Sequence, residues 1–189
     1  MEGWLNEKEL DQAVAVFLSG RYERVFVTGG PVETWQECRG SSNYADFAAA
    51  YLRTHGLQEA AVIAVPAPAS AQDRTFLSAV RLRDWAAKQH LVFGPFDVFS
   101  AGTHARRSRL LYRMAFGPNV EVGVLSARPQ EYDGQHWWRT SAGAKSVLEE
   151  AIGLLWTICF FHPAPPGSYE ELWNVPYSAV AGSRGSSLP

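Results

Sequence analysis

The stretch Ser100-Ala-Gly-Thr-His-Ala-Arg-Arg-Ser-Arg109 places one imidazole and three guanidinium groups in the opening turns of a helix. A helix N-terminus already attracts anions through its unpaired N–H groups and its dipole, whereas basic side chains stabilise the opposite end. The cluster therefore points to a bound anion rather than to helix stability. Histidine supplies a general acid or base near neutral pH, and arginine holds a carboxylate or phosphate through two parallel hydrogen bonds. Helical spacing divides the cluster. Arg107, Leu110, Leu111 and Met114 recur at i, i+3, i+4 and i+7, with His104 one turn before Arg107, so this stripe is expected to face the sheet. Arg106, Arg109 and Arg113 form a second stripe that reads as a solvated face. An inward cation needs a partner, either a ligand or an internal carboxylate such as Asp73 or Asp97.

Further candidates lie where other apolar runs end. Thr28-Gly29-Gly30-Pro31 follows one such run, and its glycines let backbone N–H groups approach an anion closely. Asp73-Arg-Thr75-x-x-Ser78 opens another helix, where Asp73 reads either as an N-cap or as a group that orients a base. Gly102 and Thr103 form the turn leading into His104. Trp137-Trp138-Arg139 offers a stacking surface, although adjacent tryptophans before a helix more often serve packing. Glu149 and Glu150 read as surface or capping residues. The five histidines show no pair at metal-ligand spacing. No Gly-x-Ser-x-Gly elbow, Walker lysine loop or Gly-x-Gly-x-x-Gly fingerprint occurs, so the markers of those chemistries are missing.

The elements that must position these residues alternate. Strand-like runs cover 24–28, 61–65, 96–100 and 120–125, the first three almost continuously apolar, as strands covered on both faces are. Helical patterns cover 7–19, 43–55, 75–89, 104–116 and 143–161, with Gly20, Gly56 and Gly117 at helix ends. Alternation of this kind implies a mainly parallel sheet wound with helices, whose ligands bind at the carboxyl ends of the strands. The order begins with a helix, which leaves that helix without a preceding strand.

Composition sets the class. The 189 residues, 47% hydrophobic with seven tryptophans and 19% charged, are those of a globular domain. The net charge of −2 lacks the overall basic field that nucleic acid requires, so the expected partner is a small anionic molecule. Cys38 and Cys159 sit in unlike contexts and suggest no disulfide framework, which makes a reducing compartment the expectation. The N-terminus has no basic and apolar signal pattern, and the longest apolar run, 151–161, is too short to span a bilayer and reads as a buried helix. Residues 2–161 form the expected folded body, and 162–189 a Pro/Gly/Ser-rich tail in which Tyr169 to Tyr177 would pack back on it.

The series Thr28-Gly-Gly, Asp73-Arg-Thr75-x-x-Ser78-Ala79 and His104-x-x-Arg107 resembles the ElyC/SanA/YdcF family of bacterial proteins, a domain of unknown function. Glu2-Gly3-Trp4, Gly102 to Arg109 and Trp137-Trp-Arg-x-Ser141-x-Gly143 resemble one branch of it. The resemblance implies a three-layer α/β/α Rossmann-like domain, a link to envelope biology, and S-adenosylmethionine as a possible cofactor. By position it carries ligand contacts to Gly29, Gly30, Thr75, His104 and Arg107. Members commonly have Asn where this chain has Ser78. They also begin with an apolar strand ending near Glu2-Gly3-Trp4, so the expectation here is a sheet without that first strand. Many carry N-terminal membrane helices, which makes the expected location cytoplasmic for the chain as written and membrane-associated if an anchor precedes it.

Two functions follow as expectations. The first is binding of a small anionic ligand, nucleotide-like or S-adenosylmethionine, by Thr28, Gly29, Gly30, Thr75, Ser78, Gly102, Thr103 and Arg107. The alternative is a hydrolase or transferase acting on a phosphorylated or pyrophosphorylated envelope precursor, with His104 as general acid/base and Asp73 orienting it or a water. A third, an interaction module using the Trp-rich end and the tail, calls on neither.

Overall fold

The computed structural model of the chain describes residues 1–32, 40–70 and 73–164. Cys38 and Tyr169 to Tyr177 lie outside them. Helix α1 (Glu7–Val16) starts at a capping box, in which the Asn6 side chain accepts from the Glu9 amide and Glu9 accepts from the Asn6 amide. A wide π turn (Phe17–Arg21), with Gly20 at φ 81°, follows it and leads to strand β1 (Val25–Gly29). Then come α2 (Tyr44–Thr54), β2 (Val62–Pro66), α3 (Arg74–Lys88), β3 (Phe96–Ala101), α4 (Ala105–Phe116), β4 (Val122–Ala127) and α5 (Ser141–Cys159). Every expected strand and helix forms, with ends shifted by a few residues.

The protein is a mixed α/β domain in which β1 pairs with β2 and β3 with β4, both parallel. Between the two pairs lies the chain's own beginning. Glu2 bridges Thr28 in parallel register, the Thr28 amide donates to Met1 O and the Gly3 amide to Thr28 O. On the other side the Glu2 amide donates to Phe99 O at 3.1 Å. The expected gap in the sheet is thus narrowed: residues 1–3 stand between β1 and β3 and satisfy backbone groups of both. Gly3 is required there, because a Cβ at that position would meet the Tyr44 carbonyl at 2.5 Å.

Apolar side chains collect in two clusters. Leu10, Ala13 and Val14 of α1 pack with Ala48, Ala49 and Leu52 of α2 on Val27, Val62 and Phe99. Phe76, Ala79 and Val80 of α3 pack with Leu111, Tyr112 and Ala115 of α4 on Val65, Val98 and Val122. The buried stripe of α4 runs through Ala105, Ser108, Leu111, Tyr112 and Ala115, rotated by about one position from the expected one. Leu110 and Met114 are only half-buried, while Arg106, Arg109 and Arg113 are exposed.

One expectation fails outright. The apolar second half of α5 is not a buried helix: Ile152 is 70% exposed and Leu155 61%, with Ile158, Phe160 and Cys159 also open. The buried face of α5 carries Gly143 and Thr157 instead, so composition alone misjudged which side faces inward. Among the described residues no helix is long and apolar enough to cross a membrane.

Candidate functional site

A cleft of about 730 Å³ opens at the carboxyl ends of β1 and β2, beside the N-terminal turns of α3 and α4. Thr28, Gly29, Gly30, Asp73, Thr75, Ser78, His104 and Arg107 all line it. Gly102 and Thr103 do not. Thr103 instead bonds the Ser146 hydroxyl at 2.9 Å, fastening the start of α4 to α5. Trp137 and Trp138 also lie away from the cleft, whose aromatic lining is Trp4, Tyr44 and Trp156.

The partner of the inward pair is Glu150, neither Asp73 nor Asp97. Arg107 donates from Nε to Glu150 Oε2 at 2.8 Å and from Nη2 to Oε1 at 2.9 Å, a bidentate fork. His104 Nδ1 lies 2.9 Å from the same Oε1. A carboxylate only accepts, so Nδ1 carries the proton and donates. The 3.0 Å approach of Arg107 Nη2 to Nδ1 is then two donors converging on one oxygen rather than a hydrogen bond. Half-burial opposes ionisation of Glu150, but hydrogen bonds from His104 and Arg107 outweigh it and hold the carboxyl at about 2. Asp97 instead accepts from Tyr22 Oη at 2.5 Å.

The placement of Glu150 depends on a polar seam along α5. Ser146, Glu150, Gly153 and Thr157 recur at i, i+4, i+7 and i+11, the spacing of one helical face. That face meets α4, and Arg107 lies across Gly153, where a Cβ would come within 3.2 Å of its Nε. The seam was the signal available in the sequence: four small or polar residues in register, running through the apolar second half of the helix. Reading the helix by its overall hydropathy hid it.

The second residue missed is Glu2, only 2% exposed on the floor of the cleft. Its carboxylate accepts from Ser108 Oγ at 3.0 Å and from Ser100 Oγ. Those two hydroxyls come from the buried faces of α4 and β3 and offset the cost of burying the charge. Glu2 Oε1 stands 3.9 Å from His104 Nε2, while Trp4 packs edge-on against the imidazole at 5.2 Å. No periodicity marks Glu2, because it precedes every regular element.

With Nδ1 committed to Glu150, the other ring nitrogen faces the cleft. Thr75 Oγ1 lies 3.4 Å from His104 Nε2. Thr75 is the second residue of α3, and Asp73 ahead of it adopts φ 49° and caps no amide with its side chain. Asp73, Arg74 and Thr75, at the start of α3, line the cleft. Burial raises the Asp73 carboxyl from its usual value, and the positive charge of Arg107 partly counters this. Thr28 anchors the opposite wall: its hydroxyl bonds Tyr112 Oη at 2.8 Å in the core. Burial pushes the Tyr112 hydroxyl far up, so it stays neutral.

Among the described residues no group of three or more His, Cys, Asp or Glu is arranged to hold a metal ion. No protein-family model, curated protein or solved structure matches the chain.

Proposed function

We propose that the chain is a three-layer α/β/α Rossmann-like domain, resembling the ElyC/SanA/YdcF family, that binds a small ligand through an anionic group in the cleft beside His104. The observation that carries this reading is the convergence of Gly29 and Gly30, the α3 N-terminus and the His104–Arg107 pair on one 730 Å³ cleft. Residues 1–3 between β1 and β3 take the place of a central strand in that arrangement. Charge narrows the ligand. Arg107 is already paired with Glu150, and the carboxylates of Glu2, Asp73 and Glu150 face two arginines, Arg74 and Arg107, around the cleft. Such a balance repels a polyphosphate. It favours a ligand with one anionic end and a neutral or cationic remainder, so S-adenosylmethionine fits better than a nucleoside triphosphate.

Thermal unfolding with S-adenosylmethionine, AMP, ATP and inorganic phosphate tests this. A ligand at a hundred times its Kd stabilises by about 2.7 kcal/mol, which is a rise of about 5–10 °C in Tm for a chain of this size. S-adenosylmethionine is expected to produce it and ATP is not. No rise with any of the four sinks the reading.

A second reading, a hydrolase or transferase acting on a phosphorylated or pyrophosphorylated precursor, draws on a separate observation. Glu150 fixes the tautomer of His104 so that Nε2 presents a lone pair to the cleft, as a general base requires. Glu150 orients His104 in this reading, while Asp73, expected to orient His104 or a water, lines the same cleft. Hydrolysis of bis(p-nitrophenyl) phosphate, lost in a folded His104→Ala protein, is the expected result; turnover retained in that variant excludes the role.

A further inference from the structure

The hydrogen-bond directions around His104 form a one-way chain. Glu150 Oε1 can only accept, so Nδ1–H donates to it. In the neutral ring Nε2 is then unprotonated and can only accept. The hydroxyl facing it at 3.4 Å, Thr75 Oγ1, must therefore be the donor. Hydroxyl to imidazole to carboxylate, with the carboxylate locked by a bidentate arginine, is the order that turns an alcohol into a nucleophile. The separation is long for a bond at rest, and nucleophile–base pairs are commonly this loose until substrate tightens them.

We propose that Thr75 is a catalytic nucleophile that transiently accepts the alkylphosphoryl group of a singly charged phosphodiester. The inference rests on the hydrolase or transferase reading and assigns the group that attacks. His104 Nε2 takes the Thr75 proton as the Oγ–P bond forms and the ester P–O bond breaks. The leaving alkoxide carries away that bond's electron pair and takes the proton from Nε2. In the second half, His104 removes a proton from water, the water oxygen bonds phosphorus, and Thr75 Oγ leaves and is reprotonated by His104. Atoms and charge balance without any further reactant.

Three features around the pair serve this step. The imidazolium formed when Thr75 ionises lies between two carboxylates, Glu150 on one nitrogen and Glu2 Oε1 at 3.9 Å from the other. The position of Thr75 in the opening turn of α3 sets the reacting phosphate at the positive end of that helix's dipole, which stabilises developing negative charge. The acidic balance of the cleft also selects a monoanionic diester over a dianionic monoester.

Labelling with a biotin fluorophosphonate tests the assignment, since attack by Thr75 forms an Oγ–P bond and expels fluoride. The expected result is one adduct, mapped to Thr75 by peptide mass spectrometry, retained in Thr75→Ser and reduced at least tenfold in Thr75→Val and His104→Ala. No adduct at Thr75, or equal labelling of folded Thr75→Val, overturns the proposal. Turnover of bis(p-nitrophenyl) phosphate separates the two levels. Activity lost in His104→Ala but kept in Thr75→Val overturns the Thr75 role and leaves His104 as a base acting on water. Activity absent in the unaltered protein removes the hydrolase reading beneath it.

Discussion

Replacing Glu150 by Gln keeps the size of the side chain and removes its charge, so it isolates what the carboxylate contributes to the His104–Arg107 cluster. The Glu150 carboxyl falls from the usual 4.5 to about 2 in the folded protein. At about 1.4 kcal/mol per pH unit that depression corresponds to about 3 kcal/mol. Because 21% of the side chain is open to water, screening reduces the figure to about 2 kcal/mol. The sign follows from the direction. A folded value below the unfolded one means stability that is complete above about pH 4.5 and is lost as the pH falls toward about 2. Urea unfolding of the unaltered and Glu150→Gln proteins at pH 7, 5, 4 and 3 measures the gap directly. It is expected to be about 2 kcal/mol at pH 7 and to shrink to less than half of that at pH 3. Glu149→Gln is the control: that neighbour is 64% exposed and points away from the cluster, so its gap stays within about 0.5 kcal/mol. A Glu150→Gln gap that is missing at pH 7, or unchanged at pH 3, refutes the account of Glu150 as the charge that holds the site together.

Gly29→Ala is expected to cost about 1–3 kcal/mol, because its Cβ would meet Tyr44 Cβ at 2.7 Å. Gly30→Ala, with its nearest neighbour at 3.6 Å, should leave stability within about 0.5 kcal/mol, and thermal unfolding distinguishes the two. Tyr112→Phe strands the buried Thr28 hydroxyl, whose remaining contact is the Met1 carbonyl at 3.4 Å, and lowers the unfolding free energy by about 1 kcal/mol in a urea titration. Exposed and buried apolar residues on α5 and just after it should behave oppositely under the same assay. Leu155→Lys changes stability by no more than about 0.5 kcal/mol, whereas Phe161→Ala, which removes a buried ring packed on Phe76, costs about 3–5 kcal/mol.

The sequence by itself determined the elements and eight of the residues that line the cleft. Apolar runs ending in Gly-Gly and in the His/Arg turn are local patterns, and local patterns set where strands stop and helices begin. Thr28, Gly29, Gly30, Asp73, Thr75, Ser78, His104 and Arg107 reach one cleft because parallel strands deliver their carboxyl ends to the same side. What the sequence did not determine was which charges meet. Glu150 lies 46 positions beyond His104, and Glu2 98 before Ser100, yet both pairs are in contact. Asp97, close along the chain, bonds Tyr22 instead, and Asp73 lines the cleft without bonding either cation. The same holds for α5, whose apolar half promised burial until the polar seam through Ser146, Glu150 and Thr157 proved to be the side facing α4. Hydropathy records how much apolar surface a helix carries. Only tertiary packing decides which face is covered, and here the covered face is the one whose carboxylate meets the half-buried Arg107 and His104. The opening basic cluster is therefore legible as a candidate site from sequence alone, while the carboxylate that pairs with it is one that only the folded chain brings there.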